Sequence, residues 1–500
     1  SSASYDALAK FAARHCNPDR PRRCSASENR VCCDRTIGTG KQLMAGQDNT
    51  DAAIPIHSVW AGESLRTALD ALDENQRRWV EMQGFTGEAF SWVAIPDAEG
   101  GIGSVLAGAN PDAPLQALAA LPAALPPADY RLESEHDRHW RRQATLGWNL
   151  AAYRFERYLK EPAPARARLV GPDDCAGEVE TLSAATTLAR DLINTPTEDM
   201  GPEQLQAAVE AEAETAGAEV ETIQGEQLER EYPAIHAVGR ASHRPPRLIR
   251  LRWGDAGHPR LAIVGKGVCF DTGGLNLKAA TGMRRMKKDM GGAAHALALA
   301  RLVMAARLPV KLDLYIPAVE NAVAAEAYRP GDVVSTRKGL SVEIGNTDAE
   351  GRVILADALT AAGETEPAAI IDFATLTGAA RIALGADLPA MFGSDLEMRS
   401  EIHAAGDREE DPVWPLPLYQ PYTRLLKSDI ADLCNQASSG YAGCITAALF
   451  LQHFVPDDIP WCHLDVYGWN DESRPGRPQG GEAMALRATW AWLRERFGDG

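Results

Sequence analysis

Seven consecutive residues, NTDAEGR (346–352), bring two carboxylates, a hydroxyl, an amide and a guanidinium close together just before an apolar run. Asp348, Glu350 and Arg352 are the charged members of this stretch. A solvated surface loop could hold them without any function. A hydrolytic metal site could use all three. The stretch alone leaves both interpretations open.

More charged residues accompany a strand predicted over 261–270. Lys266 lies in this strand and Asp271 directly follows it, in GKGVCFDTGG, and Lys278 and Asp289 come next along the chain. Ligands of open α/β sheets bind at the carboxyl ends of the strands. Carboxylates gathered in a dry pocket would repel one another, and divalent cations with oxygen ligands remove that repulsion. The pattern therefore favours a cation site.

Each residue also has an ordinary structural interpretation. Asp271 before two glycines is typical of a turn, and Asp348 could cap the helix predicted from about 352. Lys266 could be a solvated strand end, and RRMKKD (284–289) is typical of a wet, charged surface. Taken singly, these interpretations are favoured. The co-occurrence of all the residues around glycine-rich strand ends makes a functional site an equally good interpretation.

At these residues the chain closely resembles the leucyl aminopeptidase family of dinuclear metallopeptidases. NTDAEGR is the family signature, and GKGVCFDTGGLNLK and GMRRMKKDMGGAA resemble its metal-binding segments in sequence and spacing. IPAVENAVAAEAYRPGDVV, ATLTGA and the region from SDIADLCN to ITAALFLQHFV are also similar. The resemblance extends over about 177–497 and is looser in the N-terminal region.

The resemblance implies roles for individual residues of the site. Asp271 and Glu350 would bridge two divalent metal ions. Asp348 would complete the coordination of one ion, and Lys266 and Asp289 that of the other. Lys278 and Arg352 would be catalytic, and Arg352 would hold a bicarbonate that transfers the proton. Met286, Thr375 and Gly378 would surround the first side chain of the substrate.

Elementary chemistry agrees with the implied ligands. Carboxylate oxygens suit Mn²⁺, Zn²⁺ and Mg²⁺ without any histidine. A lysine can bind a metal only when neutral, and a nearby dication disfavours its ammonium form. Two ions about 3.5–4 Å apart can share and activate a water. A free α-amine as a further ligand would explain exopeptidase action. A methionine and a glycine in the pocket favour apolar first residues such as Leu or Met.

The predicted elements give an α/β protein with two domains. Residues 44–165 are predicted to form a small α/β domain, with helices over 64–83 and 145–160 and strands over 89–97 and 101–110, followed by a linker over 161–174. Residues 175–500 are predicted to form the catalytic domain. Its apolar strands are typical of a mixed, mostly parallel sheet covered by helices on both faces. The predicted helices are 177–194, 291–308 and 352–365, and the predicted strands are 247–253, 261–270, 310–321 and 368–378.

Composition limits the remaining possibilities. The 500 residues have a formal net charge of -18, which disfavours nucleic acid as a partner. No apolar run reaches the roughly 18–20 residues that a membrane span needs. Nine cysteines without a C-x-x-C pair favour a reducing, cytoplasmic location. Residues 1–43 have no helical or strand period and are interpreted as disordered or as an artificial extension before Met44, since their cysteine spacing does not fit a zinc site.

Two alternatives remain from other functional classes. One is a DNA-binding regulator, because some bacterial relatives of the family bind DNA, and a gel shift would detect it. The other is an inactive structural relative, which a leucine-anilide assay with and without Mn²⁺ would detect. The prediction is a homohexameric, metal-dependent aminopeptidase acting on peptides. The homohexamer is implied by the resemblance alone.

Overall fold

The computed structural model describes residues 52–133, 135–161, 163–171 and 174–498. The extension predicted over 1–43 lies outside this part of the chain. Strands between residues 54 and 170 form a five-stranded sheet in the order β2-β3-β1-β4-β5, in which only the β2–β3 pair is antiparallel. Its strands are β1 (Ile54–Val59), β2 (Trp92–Pro96), β3 (Ile102–Gly108), β4 (Asp129–Glu133) and β5 (Arg168–Val170). Its helices are α1 (Glu63–Asp70), α2 (Glu74–Met82), α3 (Leu121–Ala124) and α4 (Arg138–Ala152).

Helices cover both faces of this sheet. The central strand β1 has buried apolar side chains on each face. Ile56 packs with Trp140 and Trp148 of α4, whereas Val59 packs with Val80 of α2 on the other face. Burial of large apolar side chains, each contributing roughly 1.5–3 kcal/mol, holds the layers together. The sequence-based expectation of a small α/β unit in this region is confirmed.

Helix limits in the N-terminal sheet unit differ from those predicted. The helix predicted over 64–83 is broken into α1 and α2, because the Asp73 side chain accepts from the N–H groups of Asn75 and Gln76 and starts a new helix. The helix predicted over 145–160 is α4, which begins after its cap at Asp137 and ends at Ala152, where Tyr153 adopts a non-helical conformation. Cap residues therefore decided both limits.

The larger sheet lies in the second part of the chain and has the order β15-β14-β17-β13-β8-β10-β7-β6, with β9 also paired to β10. Neighbours β17, β13, β8 and β10 are parallel, and β14, β7 and β6 run antiparallel to their inner neighbours. Its strands are β6 (Glu219–Gln224), β7 (Arg247–Trp253), β8 (Arg260–Gly265), β9 (Gly267–Asp271), β10 (Lys311–Asn321), β13 (Ala369–Ala374), β14 (Ala390–Gly393), β15 (Trp414–Pro415) and β17 (Trp461–Asp465).

Helices lie on both faces of the larger sheet, as predicted. On one face α10 packs on β8, β10 and β13, together with α5, and on the other face α11 packs on β8 and β10, together with α8 and α14. The helices are α5 (Ala176–Asn194), α6 (Pro202–Ala216), α7 (Gly225–Glu231), α8 (Pro233–Gly239), α9 (Ala280–Met283), α10 (Gly291–Ala305), α11 (Glu350–Gly363), α12 (Gly378–Leu384), α13 (Leu396–Arg408), α14 (Gly443–Gln452) and α15 (Leu486–Phe497). Two minor sheets consist of β11 (Val333–Ser335), β12 (Ser341–Glu343) and β16 (Leu433–Cys434), and of β18 (Trp469–Asn470) and β19 (Gly480–Gly481).

Small residues allow α10 to approach the sheet closely. A Cβ added at Gly265 would lie 2.7 Å from the Cα of Ala293 and from the Cβ of Ala296, closer than side chains tolerate. The small-residue run at the start of α10 therefore fixes the distance between this helix and β8. Within the part of the chain that the structure describes, no helix is long and apolar enough to span a bilayer.

One predicted strand is divided at a residue of the site. The strand predicted over 261–270 becomes β8 and β9, and Lys266 lies between them. Its N–H donates to the carbonyl of Phe373 (3.0 Å), and its carbonyl accepts from the N–H of Ala293 (2.8 Å). Both backbone groups are thus satisfied outside the ladder with β10, and the side chain emerges at the edge where β13 ends.

Candidate metal centre and active site

A cavity of about 920 Å³ opens beside the carboxyl ends of the parallel strands. Lys266 follows β8, Thr375 follows β13, and Asp465 ends β17, and all three line the cavity. Asn321 ends β10, the fourth parallel strand of this group. The edge of the sheet at which the sequence predicts a ligand site is therefore the edge at which the cavity lies.

The first group of charges surrounds Lys266, which is almost fully buried. Its Nζ lies 3.0 Å from Asp289 Oδ2 and 2.9 Å from Glu350 Oε1, and it donates to the Thr375 carbonyl at 3.0 Å. Burial by itself lowers the pKa of Lys266, but the carboxylates of Asp289 and Glu350 outweigh it and raise that pKa. In this arrangement the lysine is an ammonium ion held by two acids.

The second group surrounds Lys278. Its Nζ lies 2.7 Å from Asp271 Oδ2 and also forms an ion pair with Asp348 Oδ1. The other oxygen of Asp271 accepts from the N–H of Gly273 and from Nδ2 of Asn321, each at 2.8 Å. The carboxylate is thus fixed by the backbone and an amide on one side and faces the cavity with the other.

Three carboxylates meet between these lysines. Oxygens of Asp271, Asp348 and Glu350 all lie within 4.8 Å of one another. Burial, and next to it the negative charge of Asp271, raises the pKa of both Asp348 and Glu350. Glu350 Oε2 is buried without a hydrogen-bond partner. Such a cluster is costly unless cations neutralise it.

Tight turns hold the segment after β9 against the stretch 346–352. Gly273 and Gly274 have φ values of +88° and +62°, a region that favours glycine. Thr347 Oγ1 donates to the Gly273 carbonyl at 2.6 Å, and Tyr328 Oη donates to the Thr347 carbonyl at 2.7 Å. These bonds tie the turn after β9 to the signature stretch that begins α11.

The structure excludes one of the ordinary structural interpretations and limits another. The residue before α11 is Ala349, without a side-chain cap, so Asp348 does not cap this helix. The stretch 284–289 is not uniformly a wet surface, since Lys288 and Asp289 are buried in a 3-10 turn over Met286–Met290. Thr375 Oγ1 lies 2.8 Å from Asp289 Oδ1 and 3.0 Å from the Asp289 carbonyl.

Arg352 is the one predicted catalytic residue that does not line the cavity. It is in the first turn of α11, partly buried, and its Nη1 donates to the Asn435 carbonyl at 2.7 Å. Burial lowers the pKa of this guanidinium, and its Nε is buried without a partner. Arg352 is therefore close to Glu350 in the sequence, but its side chain points toward the loop that contains Asn435.

All three residues predicted around the substrate's first side chain line the cavity. Met286 is partly exposed there, Gly378 begins α12, and Thr375 is buried with its hydroxyl engaged by Asp289. Thr375 therefore forms part of the wall and is also hydrogen-bonded to Asp289.

Sequence reasoning missed several residues of this site. Asn321, which orients Asp271, stands at the end of a predicted parallel strand and could have been found by the rule that identified Lys266. Lys288, Arg381 and Tyr467 also line the cavity. Tyr467 gave no signal, because it lies in an apolar segment two residues beyond β17.

Comparison with known proteins identifies the family. A model of the "Cytosol aminopeptidase family, catalytic domain" matches residues 187–489, which is more than half of the chain, and a model of the "M17 aminopeptidase, N-terminal domain" matches residues 54–172. The chain belongs to the cytosol aminopeptidase family. The resemblance found in the sequence is confirmed.

Individual cytosol aminopeptidases agree with this assignment. A "Probable cytosol aminopeptidase" of Syntrophotalea carbinolica is 43% identical over 360 residues, covering 68% of this chain and 72% of that protein. One of Nocardia farcinica is 40% identical over 340 residues, covering 65% of this chain and 67% of that protein.

Solved structures extend the likeness to both parts of the chain. The cytosol aminopeptidase of Coxiella burnetii has a TM-score of 0.87 at 48% identity, covering 89% of this chain and 97% of that one. The bottromycin maturation enzyme BotP, solved in complex with Mn, has a TM-score of 0.81 at 33% identity, covering 89% of this chain and 99% of that one. The protein is therefore a metal-dependent aminopeptidase of the leucyl aminopeptidase type, a hydrolase that acts on peptides.

Proposed function

We propose that the protein removes the first residue of peptides with a water activated by two divalent metal ions held in the cavity. The observation that carries this proposal is the convergence of the five predicted ligands. Lys266, Asp289 and Glu350 form one contact group, and Asp271 and Asp348 lie within 4.8 Å of Glu350. These residues come from separate segments of the chain, and packing alone gives no reason to gather four acids.

The donor set fits divalent cations. Glu350 Oε2 is buried without a hydrogen-bond partner, and the pKa of Glu350 is raised by burial and by Asp271, so this site needs positive charge. The ammonium groups of Lys266 and Lys278 supply it in this structure. Hard carboxylate oxygens suit Mn²⁺, Zn²⁺ and Mg²⁺. When bound, such ions would supply an activated water and a Lewis acid for the peptide carbonyl.

Asp271 and Glu350 are proposed to bridge the two ions, because Glu350 contacts Lys266 in the first group of charges, Asp271 contacts Lys278 in the second, and their oxygens lie within 4.8 Å of each other. Asp348 would belong to one ion, and Lys266 and Asp289 to the other. Lys266 can be a ligand only after losing its proton. Its ion pairs with Asp289 and Glu350 stabilise the protonated form in this structure. Loading the site is therefore expected to release a proton from this chain.

Lys278 is proposed to donate to the carbonyl oxygen of the substrate as charge develops there. Its partners in the structure, Asp271 and Asp348, are the same carboxylates that would hold the ions. Once those carboxylates are engaged, the ammonium group is free to face the cavity that it lines. A positioned cation at a developing oxyanion usually makes one of the strongest contributions to catalysis.

Arg352 is proposed to hold a bicarbonate that transfers the proton from the water. The support is its unpartnered, buried Nε at the beginning of α11, a location where both the guanidinium and the helix favour an anion. Engagement of this anion would require Arg352 to turn part of its guanidinium from Asn435 toward the cavity.

The first residue of the substrate is proposed to be apolar, such as Leu or Met. Met286 offers a flexible apolar wall, and Gly378 leaves room beside it, because a Cβ added there meets nothing closer than 3.9 Å. We also propose a cytoplasmic location and a homohexamer. Exposed apolar side chains, among them Ile382 and Tyr441, are surfaces that association could cover.

A leucine-anilide assay of the metal-stripped protein, reloaded with Mn²⁺, Zn²⁺ or Mg²⁺, tests the proposal. We expect no hydrolysis without a metal and hydrolysis after loading, with an N-acetylated leucine-anilide left intact because it lacks the free amine. Cleavage of the blocked substrate at the same rate would exclude the exopeptidase mechanism. Inert protein after loading would identify an inactive relative.

A further inference from the structure

Two cations stack on one tyrosine in the wall of the cavity. Lys288 Nζ lies 5.0 Å from the centre of the Tyr467 ring, and the guanidinium carbon of Arg381 lies 4.6 Å from it. All three residues line the cavity. Contact with an aromatic face stabilises a cation but leaves its hydrogen-bond donors unused.

Neither cation has an acidic partner in the part of the chain that the structure describes. Lys266 and Lys278 form ion pairs with the carboxylates proposed to bind the metal ions, and Arg285 forms an ion pair with Asp471. The side chains of Lys288 and Arg381, by contrast, form no ion pair or hydrogen bond among the described residues. Lys288 is nevertheless only 6% exposed.

An unpaired buried ammonium beside a substrate cavity indicates a ligand group of opposite charge. Placing an ammonium in a buried position costs free energy that an anion of the substrate could offset. Arg381 is exposed at the same wall and can approach the same anion from the cavity mouth. Arg284 also lines the cavity but is exposed and is not stacked on Tyr467.

The position of the pair corresponds to the first side chain of the substrate. Lys288 directly precedes Asp289 and lies two residues after Met286 in the same 3-10 turn. Arg381 is one helical turn after Gly378, and a Cβ placed on Gly378 would lie 3.9 Å from Arg381 Nη2. Both cations therefore border the pocket that Met286, Thr375 and Gly378 are proposed to form.

We propose that Lys288 and Arg381 form a carboxylate-binding subsite for the first side chain of the substrate, so that peptides beginning with Glu or Asp are substrates alongside those with apolar first residues. Met286 would contact the methylene groups of a glutamate, and the cations would bind its carboxylate. The inference rests on the proposed aminopeptidase function and names a further substrate class for the same pocket.

The test is the ratio of kcat/KM for glutamate-anilide to kcat/KM for leucine-anilide, measured with Mn²⁺-loaded protein. Lys288→Met keeps the length of the side chain and removes its charge, and we expect the ratio to fall about tenfold or more, as for the loss of a charged hydrogen bond. Arg381→Met, at an exposed position where folding is not at risk, is expected to lower the ratio in the same direction. Free L-glutamate should also inhibit both variants less, relative to free L-leucine.

Lys287→Met is the matched control. Lys287 neighbours Lys288, but it donates to the Asn194 carbonyl at 2.5 Å and does not line the cavity. This variant is expected to keep the wild-type ratio. Equal ratios in the wild type and in both the Lys288→Met and Arg381→Met variants would overturn the inference.

Anilides lack a C-terminal carboxylate, which separates the two possible sources of the anion. If the variants change the rate of leucylglycine relative to leucylglycinamide but leave the glutamate-to-leucine ratio unchanged, the cations bind the carboxyl terminus and the inference is wrong. If loaded wild-type protein cleaves leucine-anilide but not glutamate-anilide, only the inference fails. If it cleaves neither, the proposed function fails first.

Discussion

Lys278 is the residue whose proposed role separates catalysis from metal binding. It pairs with Asp271 and Asp348 without being among the proposed ligands. We expect Lys278→Ala to lower kcat by roughly 10²–10³, the usual cost of losing one donor to a developing oxyanion, and to leave the metal content unchanged. Lys427→Ala, at an exposed position, is the control. Unchanged turnover in Lys278→Ala would show that the assigned role is wrong.

Glu350 tests the ligand set itself. Glu350→Gln keeps the shape of the side chain and removes the charge of the proposed bridge. We expect calorimetric titration to show Mn²⁺ affinity weakened by more than about tenfold, since even groups that only orient a ligand account for 10–100-fold. Glu364→Gln is the control, because Glu364 follows α11 and forms a surface ion pair with Arg337. Equal affinities of the two variants would contradict the proposed coordination.

At the residue scale the sequence was informative where chemistry and strand ends coincide. Lys266, Asp271 and Asp348 were chosen as polar residues near strand and helix ends, and the structure places all three at one cavity. Lys288 was misjudged as part of a wet, charged stretch, because the burial of a lysine depends on the fold around it. The ring of Tyr467, which covers it, lies far away in the sequence.

At the element scale the limits of strands and helices were predicted less well than their existence. The predicted strand over 261–270 has a glycine on each side of Lys266, Gly265 and Gly267, but two isolated glycines do not by themselves distinguish a break from a strand that continues. The break depends on tertiary hydrogen bonds of Lys266 with Phe373 and Ala293, which no local pattern encodes. The start of α2, in contrast, has a readable signal, an aspartate followed three residues later by a glutamine.

His295 connects α10 to the segment before α15 and predicts a dependence of stability on pH. The Met484 N–H donates to its Nε2 at 2.8 Å, so the proton of the neutral ring is on Nδ1, which donates to the Gly291 carbonyl at 2.6 Å. Burial lowers the pKa of His295. Below the ordinary histidine pKa of about 6.5, the unfolded chain binds a proton that the folded chain does not. The free energy of unfolding therefore decreases as the pH is lowered through this value.

We therefore compare the wild type with His295→Gln, which can make similar hydrogen bonds but does not titrate. The free energy of unfolding of the wild type relative to the variant is expected to decrease by about 1 kcal/mol between pH 7.5 and 5.5. Urea titrations at both pH values measure it. A difference independent of pH would mean that folding does not change the pKa of His295, contrary to its burial.

At the scale of the whole molecule, an acidic surface surrounds a cavity with local positive charge. The net charge is -18, while the unpaired cations Lys288 and Arg381 are confined to the cavity wall. This distribution repels nucleic acid at long range and still offers a local site for one carboxylate. We expect no gel shift of double-stranded DNA at physiological salt. Retarded DNA that is released by added salt would instead support a regulatory role.

The division of the molecule into two sheets with helices on both faces was predictable from apolar runs, because strands such as β13 and β17 are buried along their whole length. The convergence of the site was not predictable from those runs. Asp271 and Glu350 are far apart in sequence, and only the parallel order of β8, β10 and β13 brings their segments to one edge.

The central claim is that five side chains of this chain hold two divalent ions, and an anomalous difference map from a crystal loaded with Mn²⁺ tests it most directly. We expect two separate peaks per chain, one beside Lys266 and Asp289 and one beside Asp348, with Asp271 and Glu350 between them. A map with a single peak would contradict the two-ion mechanism. A map without any peak among these side chains would contradict the metal centre itself.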